Sequence, residues 1–399
     1  MKLTKDIIIA GGMRTPFGDF GRSLKDTPMV DLGVHAATAC MNKIGVDAES
    51  VDHLVCGNVL AVDQEGCFSG RVIALKSGMA EESRALNVNR ACGSGSQAII
   101  SAAEQILTGH SSVALAGGLE NFSRAPYVSM GSRWGLRRGP ETLTDGLDLA
   151  YRDPFNLELM GETAENLAED FQYQRDEMDE WGVMSQQRAG AAMESGFLAR
   201  QIAPIEVPDD RSIRVMDEDE FPRPQITLEK LQRLKPVFRE SGRVTPGNAS
   251  GVTDGAAFVL VADREVAEQR GIEPLVRVVD WAVAGVPPRI MGCGPVPAIS
   301  QLLERQALSV DDIDYWEINE AFAVVNLHAE RELGIPRDRT NLYGGGISIG
   351  HPPGATGARM TLTAIDHLRD TGARFAVISM CLGAGQGMAT LIENVTASR

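Results

Sequence analysis

The stretch Asn87-Val-Asn-Arg-Ala-Cys92-Gly-Ser-Gly-Ser-Gln-Ala-Ile-Ile100 passes from a strand-like run through small residues into a helical pattern. The run Leu86–Ala91 predicts a strand ending at Cys92, and apolar spacing predicts a helix over Ser94–Leu107. A strand at Ser112–Ala116 and the turn Gly117-Gly118 follow. The same succession recurs near the C-terminus. There Tyr343–Ile349 leads into His351-Pro-Pro-Gly-Ala-Thr-Gly, a helix over Gly357–Arg369, a strand over Phe375–Ser379 and the turn Cys381-Leu-Gly-Ala-Gly. Two such units suggest a duplication, each with its own sheet; chance likeness of glycine-rich turns is the other reading.

Working outward, further strands are expected at Ile7–Ala10, His53–Cys56, Ala257–Val261 and Val276–Trp281, with a helix at Pro297–Arg305. Short apolar runs alternating with helices give an α/β class. Residues 122–248 read differently: they are rich in Arg, Asp, Glu and Pro, with helices at Ala164–Phe171 and Arg175–Ser195 and few strands. We read them as an inserted loop domain. It divides a first half, 1–121 completed by about 249–271, from a second half, 272–399.

The chain has 399 residues, room for two or three domains, and a formal net charge of −16, which argues against a nucleic-acid partner. No apolar stretch approaches the roughly 20 residues of a membrane span. Neither the opening residues nor Thr396–Arg399 resemble a targeting signal, so a cytoplasmic protein is expected. The six cysteines (Cys40, Cys56, Cys67, Cys92, Cys293 and Cys381) are scattered with no C-x-x-C pair, which offers nothing for a zinc site.

Four elements carry chemistry. A cysteine at the start of a helix, as Cys92 is expected to be, meets backbone N–H groups and a dipole that favour thiolate and donate to a developing oxyanion. The plain alternative is a small residue easing helix–sheet packing. His351 lies in a Gly/Pro-rich turn and suits a base toward a thiol; a structural or exposed histidine is the alternative. The Walker lysine and the G-x-G-x-x-G spacing are both missing. A second thiol, Cys381, ends another strand at a glycine turn and can share proton transfer with the first. Asn319, in Trp316-Glu-Ile-Asn319-Glu320-Ala-Phe, either caps the following helix or orients a water or carbonyl.

Together these elements resemble the thiolase family over nearly the whole chain. Arg14-Thr-Pro-Phe-Gly resembles its opening signature and Asn89-Arg-Ala-Cys92-Gly-Ser-Gly its nucleophile motif. Asn319-Glu-Ala-Phe, Gly350-His351-Pro-Pro-Gly-Ala-Thr-Gly and Cys381-Leu-Gly383-Ala-Gly-Gln-Gly resemble its other catalytic motifs, in family order. The resemblance implies two duplicated βαβαβ halves in a layered α-β-α-β-α core with a loop domain over the coenzyme A (CoA) site. It implies Cys92 as nucleophile, His351 as its base and Cys381 as acid and base at the α-carbon. One oxyanion site would be His351 with a water on Asn319, the other the N–H groups of Cys92 and Gly383. It further implies Ser250, Met160, Met291 and Arg223 along the CoA path, CoA and acyl-CoA as substrates with no permanently bound cofactor, and a homodimer or homotetramer.

The basic stretches 133–138 and 233–239 either meet CoA phosphates or are solvated loop charge. Departures from the family pattern include Leu159 before Met160, Thr253 before Asp254, Pro353, and Ala384 in place of a glycine. A decarboxylating ketoacyl synthase or hydroxymethylglutaryl-CoA synthase shares the fold, but those families lack Cys381 in such a turn beside Asn319-Glu-Ala-Phe. A non-catalytic acyl-CoA-binding protein is the other alternative, against which stands the retention of all four reactive groups.

Overall fold

The computed structural model describes residues 3–135, 138–209 and 212–396. Arg137 of the first basic stretch and the last three C-terminal residues lie outside them. The nine main strands are β1 (Ile7–Arg14), β2 (His53–Gly57), β3 (Arg84–Val88), β4 (Val113–Glu120), β5 (Thr253–Asp263), β6 (Val276–Gly285), β7 (Tyr315–Ile318), β8 (Phe375–Leu382) and β9 (Gln386–Asn394). The long helices are α1 (Met29–Ile44), α2 (Ser69–Lys76), α3 (Ser94–Leu107), α4 (Met160–Asp170), α5 (Arg175–Glu194), α6 (Pro295–Gln306), α7 (Ala323–Leu333) and α8 (Pro353–Thr371).

The strands lie in the order β7-β8-β9-β6-β1-β5-β4-β2-β3. The first half therefore runs β3-β2-β4-β5-β1, and the second runs β7-β8-β9-β6, with an isolated parallel bridge Trp316↔Thr340 where a strand like β3 would stand. With that bridge counted as the third strand of its half, both halves share one order, third-second-fourth-fifth-first. Two expectations are corrected. The run Tyr343–Ile349, the counterpart of β3 in the sequence, turns into the short helix Gly346–Ile349 instead of extending. The two sheets are also hydrogen-bonded to each other, through the pairs Ile8↔Arg277 and Ile9↔Val276.

β1 illustrates why five layers form. Ile7 and Ile9 face one core while Ile8 and Ala10 face another, so an unbroken apolar run is buried on both sides. The inner core gathers α3 and α8 with strand residues of both halves, among them Val55, Val259, Val278 and Ile378. One outer core holds α1 and α2 residues such as Leu32 and Ile73, and the other holds Ile299 and Leu302 of α6 with Ala329 of α7. The result is α-β-α-β-α with α3 and α8 in the middle. Among the described residues no strand of 122–248 joins the main sheet, which the segment meets at the isolated parallel bridge Arg14↔Ile202; it contributes α4, α5 and two small antiparallel pairs, Tyr127–Val128 with Thr144–Asp145 and Ile205–Asp209 with Ser212–Met216. Its Leu167, Met178 and Trp181 pack with Met291, Phe322 and Cys381, which brings it over the ends of the strands.

Candidate active site

The small residues of the two motifs serve one purpose, to let α3 and α8 touch at their starts. A Cβ on Gly95 would lie 2.7 Å from the Gly354 carbonyl oxygen, and one on Gly357 only 2.2 Å from the Ser96 nitrogen. Only glycine permits that approach. The crossing brings together the turn that carries Cys92 and the turn that carries His351.

β3 ends at Val88, sooner than expected, and a turn held by its own side chains presents Cys92. Asn89 Oδ1 accepts from the Ala91 N–H (3.0 Å), and Ser94 Oγ accepts from the Arg90 N–H (2.9 Å) while donating to the Ala91 carbonyl (2.7 Å). Ala91 takes a left-handed φ of 46°, and across the site Ala384 takes 65°, positions that cost an alanine roughly 1–2 kcal/mol. Strained backbone flanks the sulfur on both sides. Cys92 precedes the first helical residue by two positions. Its own N–H and that of Gly383 point at Sγ, yet burial outweighs them and pushes the thiol up to about 11. Burial thus opposes the thiolate that a helix N-terminus favours, and the thiol keeps its proton at rest.

His351 is 3% exposed, and burial, followed by the positive charge of Arg359, pushes its imidazole down to about 3. It is neutral at any physiological pH. Nδ1 lies 2.6 Å from Thr356 Oγ1, whose own hydrogen goes to the Pro352 carbonyl at 2.8 Å. Thr356 can thus only accept from the ring, which puts the proton on Nδ1 and leaves the Nε2 lone pair to accept from Asn319. Nε2 lies 3.3 Å from Asn319 Nδ2. The capping role for Asn319 is overturned, since Phe322 occupies the N-cap of α7. Instead Asn319 is 1% exposed and its Oδ1 has no partner among the described residues, the acceptor that would hold a water beside the imidazole.

The loop before His351 is held by Glu320, whose carboxylate accepts from Ser185 Oγ (2.6 Å), Asn341 Nδ2 (3.0 Å), Trp181 Nε1 (3.1 Å) and the Ile347 N–H (3.2 Å). Gly350 has φ 105°, and any side chain there would strike Thr253. Cys381 is fully buried at the end of β8, opposite Gly387 of β9; burial, reinforced by nearby Cys92, raises its thiol well above the usual range.

Cys92, His351 and Gly383 line one chamber of about 60 Å³, together with Met160, Ser250 and Met291. A second cavity of about 320 Å³ shares Tyr151, Met160, Ser250 and Phe322 with it and opens outward past Phe238 and Leu147. Arg223 lines neither: its guanidinium donates to the carbonyls of Glu220, Phe221 and Pro222 and pairs with Asp19. No cluster of His, Cys, Asp or Glu among the described residues could hold a metal.

Sequence reasoning missed Glu120, Phe122, Tyr151 and Thr356. Glu120 is buried at the end of β4, opposite Gly255 of β5. It accepts from Asn58 Nδ2 (2.9 Å), Val59 N–H (3.0 Å), Leu60 N–H (3.0 Å) and, from the second half, Gly354 N–H (3.2 Å). Burial holds its carboxyl up at about 8 against the three backbone donors. Thr356 falls inside the quoted histidine motif and Glu120 two residues after the turn Gly117-Gly118; Tyr151 has no local signal.

Residues 7–265 match the family model of the thiolase N-terminal domain, and residues 272–394 that of the C-terminal domain. The beta-ketothiolase of Cupriavidus necator is 42% identical over 98% of this chain and the whole of that protein. The human mitochondrial 3-ketoacyl-CoA thiolase is 41% identical over 99% of this chain and the whole of its own. The crystal structure of that human enzyme in complex with CoA has a TM-score of 0.96 at 41% identity, covering 99% of each chain. The Bacillus anthracis acetyl-CoA acetyltransferase has 0.95 at 40%, covering 99% of this chain and all of the other. Among the described residues no helix is long and apolar enough to cross a membrane.

Proposed function

Because the chain belongs to the thiolase family and is an acyltransferase, we propose that it cleaves 3-ketoacyl-CoA with CoA, or in reverse condenses two acyl-CoA, through an acyl-enzyme on Cys92. Cys92 Sγ attacks the keto carbon while its proton passes to His351 Nε2. The oxyanion is held by the new Nε2–H and by a water on Asn319 Oδ1. The bond between the α and keto carbons breaks, and Cys381 protonates the departing acetyl-CoA enolate. Cys381 then takes the proton of the incoming CoA thiol, whose sulfur attacks the acyl-enzyme. That second oxyanion sits at the N–H groups of Cys92 and Gly383. The expelled Cys92 thiolate recovers its proton from His351. With a thiol near 11 and an imidazole near 3, neither group is charged at rest, so the proton moves only as carbon is attacked.

The observation that carries this reading is the convergence of Cys92, His351 and the Gly383 N–H on one chamber. Ser250 and Met160, which line both cavities, and Met291 in the inner one would guide the pantetheine arm; Arg223 is left to the nucleotide end, outside both. The three-part division into a first half, a loop domain and a second half is supported by the repeated strand order on either side of residues 122–248. A homodimer or homotetramer is supported by β3, a sheet edge with exposed Leu86 beside exposed Phe68. Six free cysteines suit a reducing cytoplasm, and 3-ketoacyl substrates suit fatty-acid metabolism, β-oxidation included. Mixing the protein with acetoacetyl-CoA and CoA tests the reading. Loss of ketoacyl absorbance that Cys92→Ala abolishes is expected, and no loss with folded protein rejects it.

A further inference from the structure

We propose that the ring pair Phe122–Tyr151 forms a wall of the acyl chamber, limits the acyl group carried on Cys92 to about four carbons, and makes Tyr151 the residue that sets chain length. This rests on the thiolase reading above. The chamber holding Cys92 has about 60 Å³. At roughly 10–15 Å³ per water-sized group, that admits about five non-hydrogen atoms. An acetyl group brings three, a butanoyl five and a hexanoyl seven.

The walls differ in how firmly they are held. Val59 is fixed from behind, its N–H donated to Glu120 at 3.0 Å. Phe122 is 2% exposed and opens a turn anchored next door, where the Ser123 N–H donates to Asp254 Oδ1 at 3.1 Å. Tyr151 lies against Phe122 with ring centroids 5.3 Å apart and planes tilted by 55°. Its backbone is tied down, N–H to the Leu147 carbonyl (3.1 Å) and carbonyl to the Met160 N–H (2.9 Å), but no hydrogen bond from its hydroxyl holds the ring among the described residues. Tyr151 also borders the outer cavity, so removing its ring widens the chamber toward that space without touching Cys92 or His351.

The test is thiolysis of 3-ketoacyl-CoAs of four, six, eight and twelve carbons. For the wild type, kcat/KM should drop by about tenfold or more between six and eight carbons, where the transferred group outgrows the chamber. Tyr151→Ala should raise the eight-to-four ratio by about tenfold or more, while Tyr151→Phe keeps the wild-type ratio. Tyr151→Leu serves as the opening variant if the alanine fails to fold. Equal cleavage of four- and twelve-carbon substrates by the wild type, or an unchanged ratio in the opened variant, overturns the wall. Folded protein that cleaves no chain length overturns the thiolase reading itself, and the wall with it.

Discussion

Replacing Thr356 with valine keeps the shape beside His351 and deletes the oxygen that accepts its Nδ1–H at 2.6 Å. In the resting site that bond joins two neutral groups and contributes about 0.5–1.5 kcal/mol. Once the ring has taken the Cys92 proton the donor is an imidazolium, and the same bond contributes about 1.5–3 kcal/mol. The difference, about 1–2 kcal/mol, is felt only as the thiol is deprotonated, and corresponds to a five- to thirtyfold slower acylation. Losing the acceptor also frees the ring proton to move to Nε2, facing Asn319, where the ring cannot act as a base. Acylation of Cys92 by acetyl-CoA in a single turnover, read by mass spectrometry, isolates this step. Thr356→Ser should stay near wild type. Thr356→Val acylating within twofold of wild type would refute the tautomer assigned to His351.

Other consequences are as direct. Cys381→Ala should abolish condensation while Cys92 still accepts an acetyl group; loss of both would show that the two thiols do not divide the work. Ala384→Gly relieves a φ of 65° and should stabilise by about 0.5–1 kcal/mol after the extra freedom of glycine in the unfolded chain, measured as a higher urea midpoint. Gly357→Ala drives a methyl into the Ser96 backbone; at least about tenfold loss of kcat with normal circular dichroism is expected, and full activity would deny that the helix crossing aligns Cys92 with His351. His351 and His328, buried with imidazoles pushed down to about 3 and about 4, stay neutral while their unfolded counterparts titrate near 6.5. Stability is therefore full above pH 6.5 and lost as pH falls, by about 2 kcal/mol per histidine at pH 5, which denaturant midpoints at the two pH values will test.

Much of this was legible because the chemistry sits in local patterns. Cys92, His351 and Cys381 each lie in a turn whose small residues are readable without a partner, and the helices behind the first two follow from spacing. What was not legible depends on chain that arrives from elsewhere. The hydrogen bond between Asn319 and His351 joins residues 32 apart, and it decided between capping a helix and facing the imidazole. The neutral state of the Cys92 thiol follows from burial, which the helix-terminus argument could not weigh. Tyr151 reaches the chamber from the segment 122–248, where no periodicity marks it. Tyr343–Ile349 looked extended because its glycines and isoleucines suit a strand, but Glu320 gathers it into a helical turn.

The shared strand order has a meaning for how the site came to be asymmetric. Asn58 and Asn319 both follow the second strand of their half, and Glu120 and Cys381 both sit at the end of the fourth, each facing a glycine of the fifth. Two halves of one strand order thus present the same places twice, and put them to opposite duties. One copy keeps an asparagine bound to a carboxylate, a joist that braces its sibling through Gly354. The other half turns its asparagine to His351 and puts a buried thiol where the first has its carboxylate. Reaction needs inequality between neighbours, and a fold that presents each place twice can use one as carpentry and keep its twin for chemistry.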